Sequence, residues 1–483
     1  MTPRPYPSSF SEAEYDELGK PVGMDLSGKQ VVVVGMGRTG LSCVRFLCGQ
    51  GAFVIANDGG PEPDEWVDQA RALGARPVWG EHPPNLFVQS DLVVVSPGVP
   101  HTLGFLQTAR ERNIPVIGEI ELASRFVKAP NLAVTGTNGK TTTTTLLGEM
   151  LKQSGFEVFV GGNIGTPLID YVAEQKIADR VVVEVSSFQL DTIVSFRPSA
   201  AVLLNISVDH MDRYPDFDAY VHSKGRIFEN QTAKDTAILN GADSRVLAAA
   251  ERINSRKWFF NGLNAPRPDA LQNGSRLDIQ ADGTRFNLDL SQTPIEGAHN
   301  RENIAAAALA ALVAGGTPDG IQTALARFRG LPHRLAYADT VNGVRYYDDS
   351  KGTNVDAVVR ALGSFQEPVI LIMGGRGKGG GYGPLKNPVR YGVKKLIAMG
   401  ETREAIRTEL GPFCARRVKV VDSIEDAVRS AAEAAEPGDV VLLSPSGSSF
   451  DMFKSYSHRG ECFCRAVQAL KSKEDHAALS AGI

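Results

Sequence analysis

The chain has little of what marks an extracellular, membrane-embedded or nucleic-acid-binding protein. Its 483 residues include five cysteines, an odd number with no C-x-x-C pair. A disulfide framework or zinc site is therefore not expected, and a reducing cytoplasm is. No apolar run approaches the ~18 residues that a membrane-spanning helix needs. Lysine and arginine (51) do not outnumber aspartate and glutamate (55), the net charge is −4, and no strongly basic block occurs. Nucleic acid is thus an unexpected partner. Residues 1–28 carry prolines, serines and acids but no apolar signal-peptide core, and predict a poorly ordered extension. The tail after Leu470 predicts fraying, and no short-period repeat is present.

What remains is ordinary globular material, 42% hydrophobic and 22% charged, at a length that predicts about three domains. Apolar runs that read as buried parallel strands alternate with helical stretches. In the first segment the strands are Gln30–Val34, Phe53–Asn57, Leu92–Ser96 and Val116–Ile117, with a helix over Leu41–Gly49. The second segment carries Leu132–Thr135, Val158–Val160, Val181–Val185, Ala201–Ile206 and Thr236–Asn240, then an Ala-rich helix over Asn303–Ala314. The third carries Val344–Asp348, Val369–Met373, Lys395–Ala398, Val418–Val421 and Val440–Leu443, with a helix over Ile424–Ala435. Linkers are expected near Gly118–Glu121 and Arg329–Pro332.

The strongest motif is Gly136-Thr137-Asn138-Gly139-Lys140-Thr141-Thr142, set between a strand and a helix. Backbone N–H groups of such a turn point at phosphate oxygens, the lysine adds positive charge, and the hydroxyl after it reaches Mg²⁺. The spacing departs from G-x-x-x-x-G-K-[ST]: the position that pattern reserves for its first glycine holds Val134. Gly35-Met36-Gly37-Arg38-Thr39-Gly40, with Asp58 at the end of the next strand, is a dinucleotide fingerprint. A nicotinamide dehydrogenase, a nucleotide-sugar site and a purely structural turn all fit it. Ser96-Pro97-Gly98 ends another strand of the same segment.

Glu184 closes a buried strand where a carboxylate suits Mg²⁺, or where it is merely paired. Asp209-His210 leaves the next strand; His210 suits a metal, a substrate carboxylate or a structural role. On its own surroundings Lys224 reads as an ordinary helical lysine, and the asparagines of His299-Asn300-Arg301-Glu302-Asn303 as helix caps or base readers. Three strand ends of the third segment bring hydroxyls and cations to one rim: Asp349-Ser350-Lys351-Gly352-Thr353, Gly374-Gly375-Arg376-Gly377-Lys378 and Ser446-Gly447-Ser448-Ser449-Phe450. Such a rim suits an anionic substrate and charge neutralisation in phosphoryl transfer.

In this order, and with Leu331-Pro332-His333-Arg334 and the stretch SPSGSSFDMFKSYSHRG, these motifs closely resemble the Mur ligases over about residues 29–470. The resemblance implies three tandem α/β domains: a Rossmann-like UDP-binding domain (29–118), a P-loop ATPase-type ATP-binding domain (119–329) and a Rossmann-like amino-acid-binding domain (330–483). It implies a cytoplasmic, monomeric, ATP-dependent ligase using two Mg²⁺ ions. The last stretch is similar to the branch that adds D-glutamate to UDP-N-acetylmuramoyl-L-alanine, and no Asp-Asn-Pro-Arg box of the diamino-acid-adding branch is present. Gly37, Arg38, Thr39, Asp58, Ser96 and Asn163 would hold the UDP substrate, with Arg38 standing where many members have an apolar or small residue. ATP would lie on residues 136–142, Asn300, His333, Arg334 and Asp349. Thr141, Glu184, His210 and Lys224, the last aligned with a carbamylated lysine, would serve the metal. Lys140, His210, Lys224 and Lys351 would be catalytic. Thr353, Lys378, Ser449, Phe450 and Tyr456 would receive D-glutamate. A sister ligase, a folylpolyglutamate synthase, a dehydrogenase and a non-catalytic nucleotide-binding module are the alternatives.

Overall fold

The computed structural model describes residues 24–60, 64–262, 268–293, 295, 297–414 and 418–481; the extension expected up to residue 28 lies outside these as far as residue 23. The chain gathers into two compact units. The first holds the described residues up to Ile206 with Asp218–Gln292 and Glu302–Arg327; the second holds Ser207–Phe217, Thr293–Arg301 and the described residues from Phe328 onward.

The first unit contains two sheets. Strands β1 (Gln30–Val34), β2 (Phe53–Asp58), β3 (Arg76–Trp79), β4 (Leu92–Val95) and β5 (Val116–Gly118) form a sheet in the order β3-β2-β1-β4-β5. All neighbours are parallel. The order reverses between β1 and β4, so a crevice opens beyond their C-terminal ends, where ligands of open α/β sheets bind. Helix α1 (Arg38–Gly49) follows β1 and buries Cys43, Val44, Phe46 and Leu47. It starts three residues earlier than its apolar pattern suggests.

The second sheet comprises β6 (Asn131–Thr135), β7 (Val158–Gly162), β8 (Arg180–Glu184), β9 (Ala200–Leu203), β10 (Thr236–Asn240), β11 (Arg256–Phe260), β12 (Ala270–Asn273), β13 (Arg276–Ala281) and β14 (Thr284–Asp289). Its order is β14-β13-β12-β11-β10-β9-β6-β8-β7. Strand β6 lies between β8 and β9, with Val134 opposite Glu184 in register. Strands β12 to β14 form an antiparallel extension that no continuous apolar run marks. They are half-buried and alternate in polarity, and the Asp282-Gly283 turn between the last two, both residues at positive φ, is a hairpin signal. Three helices carry residues of interest: α2 (Lys140–Gln153), α3 (Phe217–Gly225) and α4 (Ala298–Val313). Helix α4 is buried without a break from Asn303 to Ala311. It begins five residues before the expected start, so Asn300 lies within its first turn.

The junction expected as a linker near Gly118–Glu121 is instead a buried strand end and short helix. The Glu121 carboxylate, fully buried, accepts from the backbone N–H groups of Val194, Ser195 and Phe196 and pairs with Arg125 at 2.8 Å. A buried carboxyl group so surrounded fixes the chain rather than letting it swing.

In the second unit, β15 (Ala336–Val341), β16 (Val344–Asp348), β17 (Val369–Gly374), β18 (Val393–Met399), β19 (Lys419–Val420) and β20 (Val440–Ser446) pair in the order β15-β16-β20-β17-β18-β19. Only β15 is antiparallel. Strand β20 lies between β16 and β17, which sets the loops that follow these three strands side by side. Helix α5 (Val355–Leu362) is capped by Asn354, whose Oδ1 accepts from Ala357 N at 2.8 Å. Helix α6 (Tyr456–Ala481) continues through the tail that was expected to fray after Leu470. Among the described residues no helix is long and apolar enough to cross a membrane.

Candidate active site

The phosphate-type loop spans Gly136 to Gly139, between β6 and α2. Gly139 sits at φ +87°, and a Cβ there would run into Asn303 Oδ1, so only glycine fits. As N-cap it offers no side chain to α2, a fourteen-residue helix whose N-terminus favours an anion. Asn205, at the exit of β9, fixes the loop twice over: its Oδ1 accepts from Asn138 N at 2.9 Å and its Nδ2 donates to Asn138 O at 3.0 Å. Lys140 Nζ donates to the carbonyls of Gly136 and Thr137, each at 2.9 Å. Lys224, 1% exposed, donates to the Gly136 carbonyl at 2.8 Å, and its Nζ stands 4.8 Å from the Tyr220 ring centre. The Tyr220 hydroxyl in turn meets Thr137 Oγ1 at 3.1 Å. Thr142 is buried in the first turn of α2, and Thr141 is partly exposed beside it.

Glu184 ends β8 one strand away and is 2% exposed. Its Oε1 accepts from Asn163 Nδ2 at 2.8 Å, while Oε2 is buried with no hydrogen-bond partner. A buried carboxylate oxygen left without a donor fits a cation, since it is otherwise costly. Among the described residues no three His, Cys, Asp or Glu side chains gather as a metal cage.

Asn163 also lines a cavity of about 520 Å³. The same cavity is lined by Gly37, Arg38, Thr39, Asp58 and Ser96, so the six residues singled out for the UDP substrate face one space. Two of them also hold the glycine turn. Asp58 accepts from Met36 N at 2.7 Å and Gly60 N at 2.8 Å, and Ser96 Oγ donates to Gly35 O at 2.6 Å. Gly40 is required here as well, because a Cβ on it would strike the Gly35 carbonyl. Gln189 completes the lining, with its side chain accepting from Ser186 N at 3.0 Å and donating to Glu119. Burial raises the Glu119 carboxyl to about 7.

The remaining residues belong to the second unit. Lys378 Nζ lies 3.2 Å from Asp209 Oδ1 and 3.4 Å from Thr353 Oγ1, and Asn354 Nδ2 donates to Asp209 Oδ2 at 3.1 Å. His210 is held at φ +58° with its Nε2 3.6 Å from Asp209 Oδ2. It therefore groups with Lys378 and Thr353, whereas Thr141, Glu184 and Lys224 belong to the first unit. Lys351 Nζ stands over the Tyr456 ring at 3.9 Å. His333, at φ +61°, bonds Asp348 at 2.6 Å. Asp349 accepts from Ser444 Oγ at 2.7 Å and Leu335 N at 3.2 Å; burial, eased by these bonds and by Arg334, raises it to about 7. Asn300 follows His299, which burial lowers to about 4. Ser449 is buried and Phe450 is exposed at the rim.

Sequence reasoning gave no role to Gln189, Tyr220 or Arg459. Asn205 lies near the end of an expected strand, and Asp209 and Asn303 stand inside quoted motifs, so position at a strand exit or helix entrance was the available signal. Gln189, in the Ser186–Gln189 capping box, had a local one.

Three family models match successive stretches of the chain. A Mur ligase MurD-like N-terminal domain matches residues 29–118, the Mur ligase middle domain residues 134–311, and the Mur ligase glutamate ligase domain residues 333–447. The chain is 51% identical over 463 residues to a Desulfosudis oleivorans protein named UDP-N-acetylmuramoylalanine--D-glutamate ligase, covering 95% of this chain and 99% of that one. A protein of the same name from Desulfatibacillum aliphaticivorans is 48% identical over 92% of this chain and all of its own. In fold it is similar to a pseudomurein peptide ligase type C from Methanothermus fervidus (TM-score 0.59, 20% identity, 92% and 100% coverage). It is likewise similar to the MurF ligase of Thermotoga maritima in complex with ADP (TM-score 0.58, 19% identity, 94% and 96% coverage). Matched along nearly its whole length, the chain belongs to the Mur ligases, ATP-dependent enzymes that form amide bonds in peptidoglycan synthesis.

Proposed function

We propose that the chain joins D-glutamate to the alanyl carboxylate of UDP-N-acetylmuramoyl-L-alanine, with ATP cleaved to ADP and phosphate. The observation that carries this reading is Asn163, which lines the glycine-turn cavity and also holds the carboxylate of Glu184 beside the phosphate loop. A nucleotide-linked substrate held in that cavity through Gly37, Arg38 and Thr39 would then extend toward the phosphates of ATP.

A carboxylate is a poor electrophile, so the substrate oxygen first attacks the γ-phosphorus, ADP leaves, and an acyl phosphate forms. The amine of D-glutamate, having lost its extra proton, attacks the acyl carbon, and phosphate departs from the tetrahedral intermediate. Negative charge grows in both steps. The loop N–H groups, Lys140 and the helix α2 N-terminus oppose it at the phosphates. Mg²⁺, for which Thr141, Glu184, His210 and a carbamate on Lys224 are the proposed ligands, would supply the remaining charge neutralisation. Asn300, His333, Arg334 and Asp349 would contact the nucleotide. Lys351, Thr353, Lys378, Ser449, Phe450 and Tyr456 would receive D-glutamate, whose two carboxylates match that rim in charge. We place the enzyme in the cytoplasm as a monomer.

Phosphate release from ATP with UDP-N-acetylmuramoyl-L-alanine and a panel of amino acids tests the assignment. D-Glutamate should stimulate release far above L-alanine, L-glutamate, lysine or diaminopimelate. Stimulation by another of these, or by none, would overturn it.

A further inference from the structure

Arg459 stands in the first turn of α6 and is 1% exposed, the largest side chain so deeply buried. The hydrogen bonds of its guanidinium go to neutral oxygens. Nε donates to Ser350 Oγ at 3.0 Å, and Nη2 donates to the carbonyls of Ser350 at 2.8 Å and Gly447 at 3.1 Å. Ser350 Oγ itself donates to Tyr456 O at 2.8 Å. A third loop crosses the same group: a Cβ on Gly375, at φ +115°, would stand 3.0 Å from Nη1. The acids Asp451, Asp348 and Asp349 act on the cation from farther off.

Packing alone does not account for this. An apolar side chain of similar volume would fill the space without taking a charge out of water. What an arginine adds is a flat fork of donors that holds several acceptors in fixed relation. Here the acceptors belong to the loops that follow β16 and β20, and the loop after β17 lies against the fork. Those loops carry Lys351 and Thr353, Ser449 and Phe450, and Lys378. We infer that Arg459 is the positioning residue of the amino-acid site, clamping the loops of the third sheet so that their cations and hydroxyls converge on one ligand. This rests on the assignment of that rim to D-glutamate proposed above.

The test uses the full chain and the variants Arg459→Lys, Arg459→Met and Ser350→Ala. KM is measured for each of the three substrates, and amide hydrogen exchange is followed without substrates. Arg459→Lys keeps the charge but loses the fork. It should raise KM for D-glutamate about tenfold or more and leave KM for the UDP substrate within about twofold. Exchange should quicken at residues 349–353 and 447–449 and stay unchanged in β16, β17 and β20. Ser350→Ala should do the same to a smaller degree. An unchanged KM for D-glutamate overturns the inference. So does a uniform rise of all three KM values with faster exchange throughout, which a merely structural arginine would give. If Arg459→Met fails to fold, the lysine and Ser350 variants decide. Should the wild type show no D-glutamate-stimulated phosphate release, the function assignment fails. Exchange confined to the loops would then still uphold the clamp, and its absence would overturn it.

Discussion

Two cations among the described residues are only 1% exposed, Lys224 at the end of α3 and Arg459 at the start of α6, each donating to backbone carbonyls. Their chemistry differs. An amine can surrender its proton and become a nucleophile, and burial favours that neutral form. A guanidinium stays charged and is no nucleophile at neutral pH, and its value lies in the geometry of its donors. Lys224 accordingly stands against the phosphate loop with the face of Tyr220 beside it, where a modified amine could serve the reaction. Arg459 stands beneath a rim of loops and touches the main chain of two. The comparison teaches that a buried charge has to be judged by what its head group can become, as well as by its burial.

The sharpest way to break the comparison is to exchange head groups at residue 224. Lys224→Arg keeps the charge but cannot form a carbamate, so it should be as inactive as Lys224→Ala, with kcat/KM down by about 10³ or more. Added short-chain carboxylic acid should restore part of the alanine variant's activity. An active arginine variant would show that Lys224 acts only as a fixed cation.

Next in size is Asn163→Ala, which frees Glu184 Oε1 and removes a lining residue of the cavity. A loss of about 10- to 100-fold in kcat/KM for the UDP substrate is expected, with a raised Mg²⁺ requirement in the same assay. An unaltered Mg²⁺ titration would separate Asn163 from the metal. The Arg459→Lys effect, about tenfold and confined to D-glutamate, follows in order and marks the positioning side of the comparison.

The smallest effect extends the comparison to buried acids. Burial raises Glu119 from 4.5 to about 7, so between these values the folded state keeps a proton that the unfolded state has lost. This group therefore favours the folded state less as pH rises from about 4.5 to 7, with no further change above. Glu119→Gln removes the titration, so the fall in thermal midpoint between pH 5 and pH 8 should shrink. An identical fall in both proteins would show that Glu119 titrates normally.

Much of the fold and site was legible because parallel α/β sheets place chemistry at strand ends. Gly136–Thr141, Gly35–Gly40, Glu184 and the three loops of the second unit each follow or close an apolar run, and that pattern is local. The antiparallel β12–β14 extension was equally local, with Asp282-Gly283 in plain view, but its alternating strands did not match the continuous runs being sought. The expected linker at Gly118–Glu121 failed for another reason. A glutamate reads as a solvated residue until the N–H groups of residues 194–196, more than seventy positions away, are brought to it. The dehydrogenase reading of Gly35–Gly40 also rested on a local motif that several ligands share, and it gave way to the match of the whole chain to the Mur ligases.

By itself the amino-acid sequence determined which residues could bind phosphate, meet a cation or carry charge at a strand end, because backbone turns and helix N-termini are set by neighbours a few positions apart. Tertiary structure alone decided which of those groups had partners. It left Glu184 Oε2 unsatisfied, gave one Asp58 oxygen to the glycine turn and the other to Gly60 N, and set Arg459 against Ser350, 109 residues away. The reason is physical: a polar group's role depends on which donors and acceptors remain for it once water is excluded, and only the packed chain determines that.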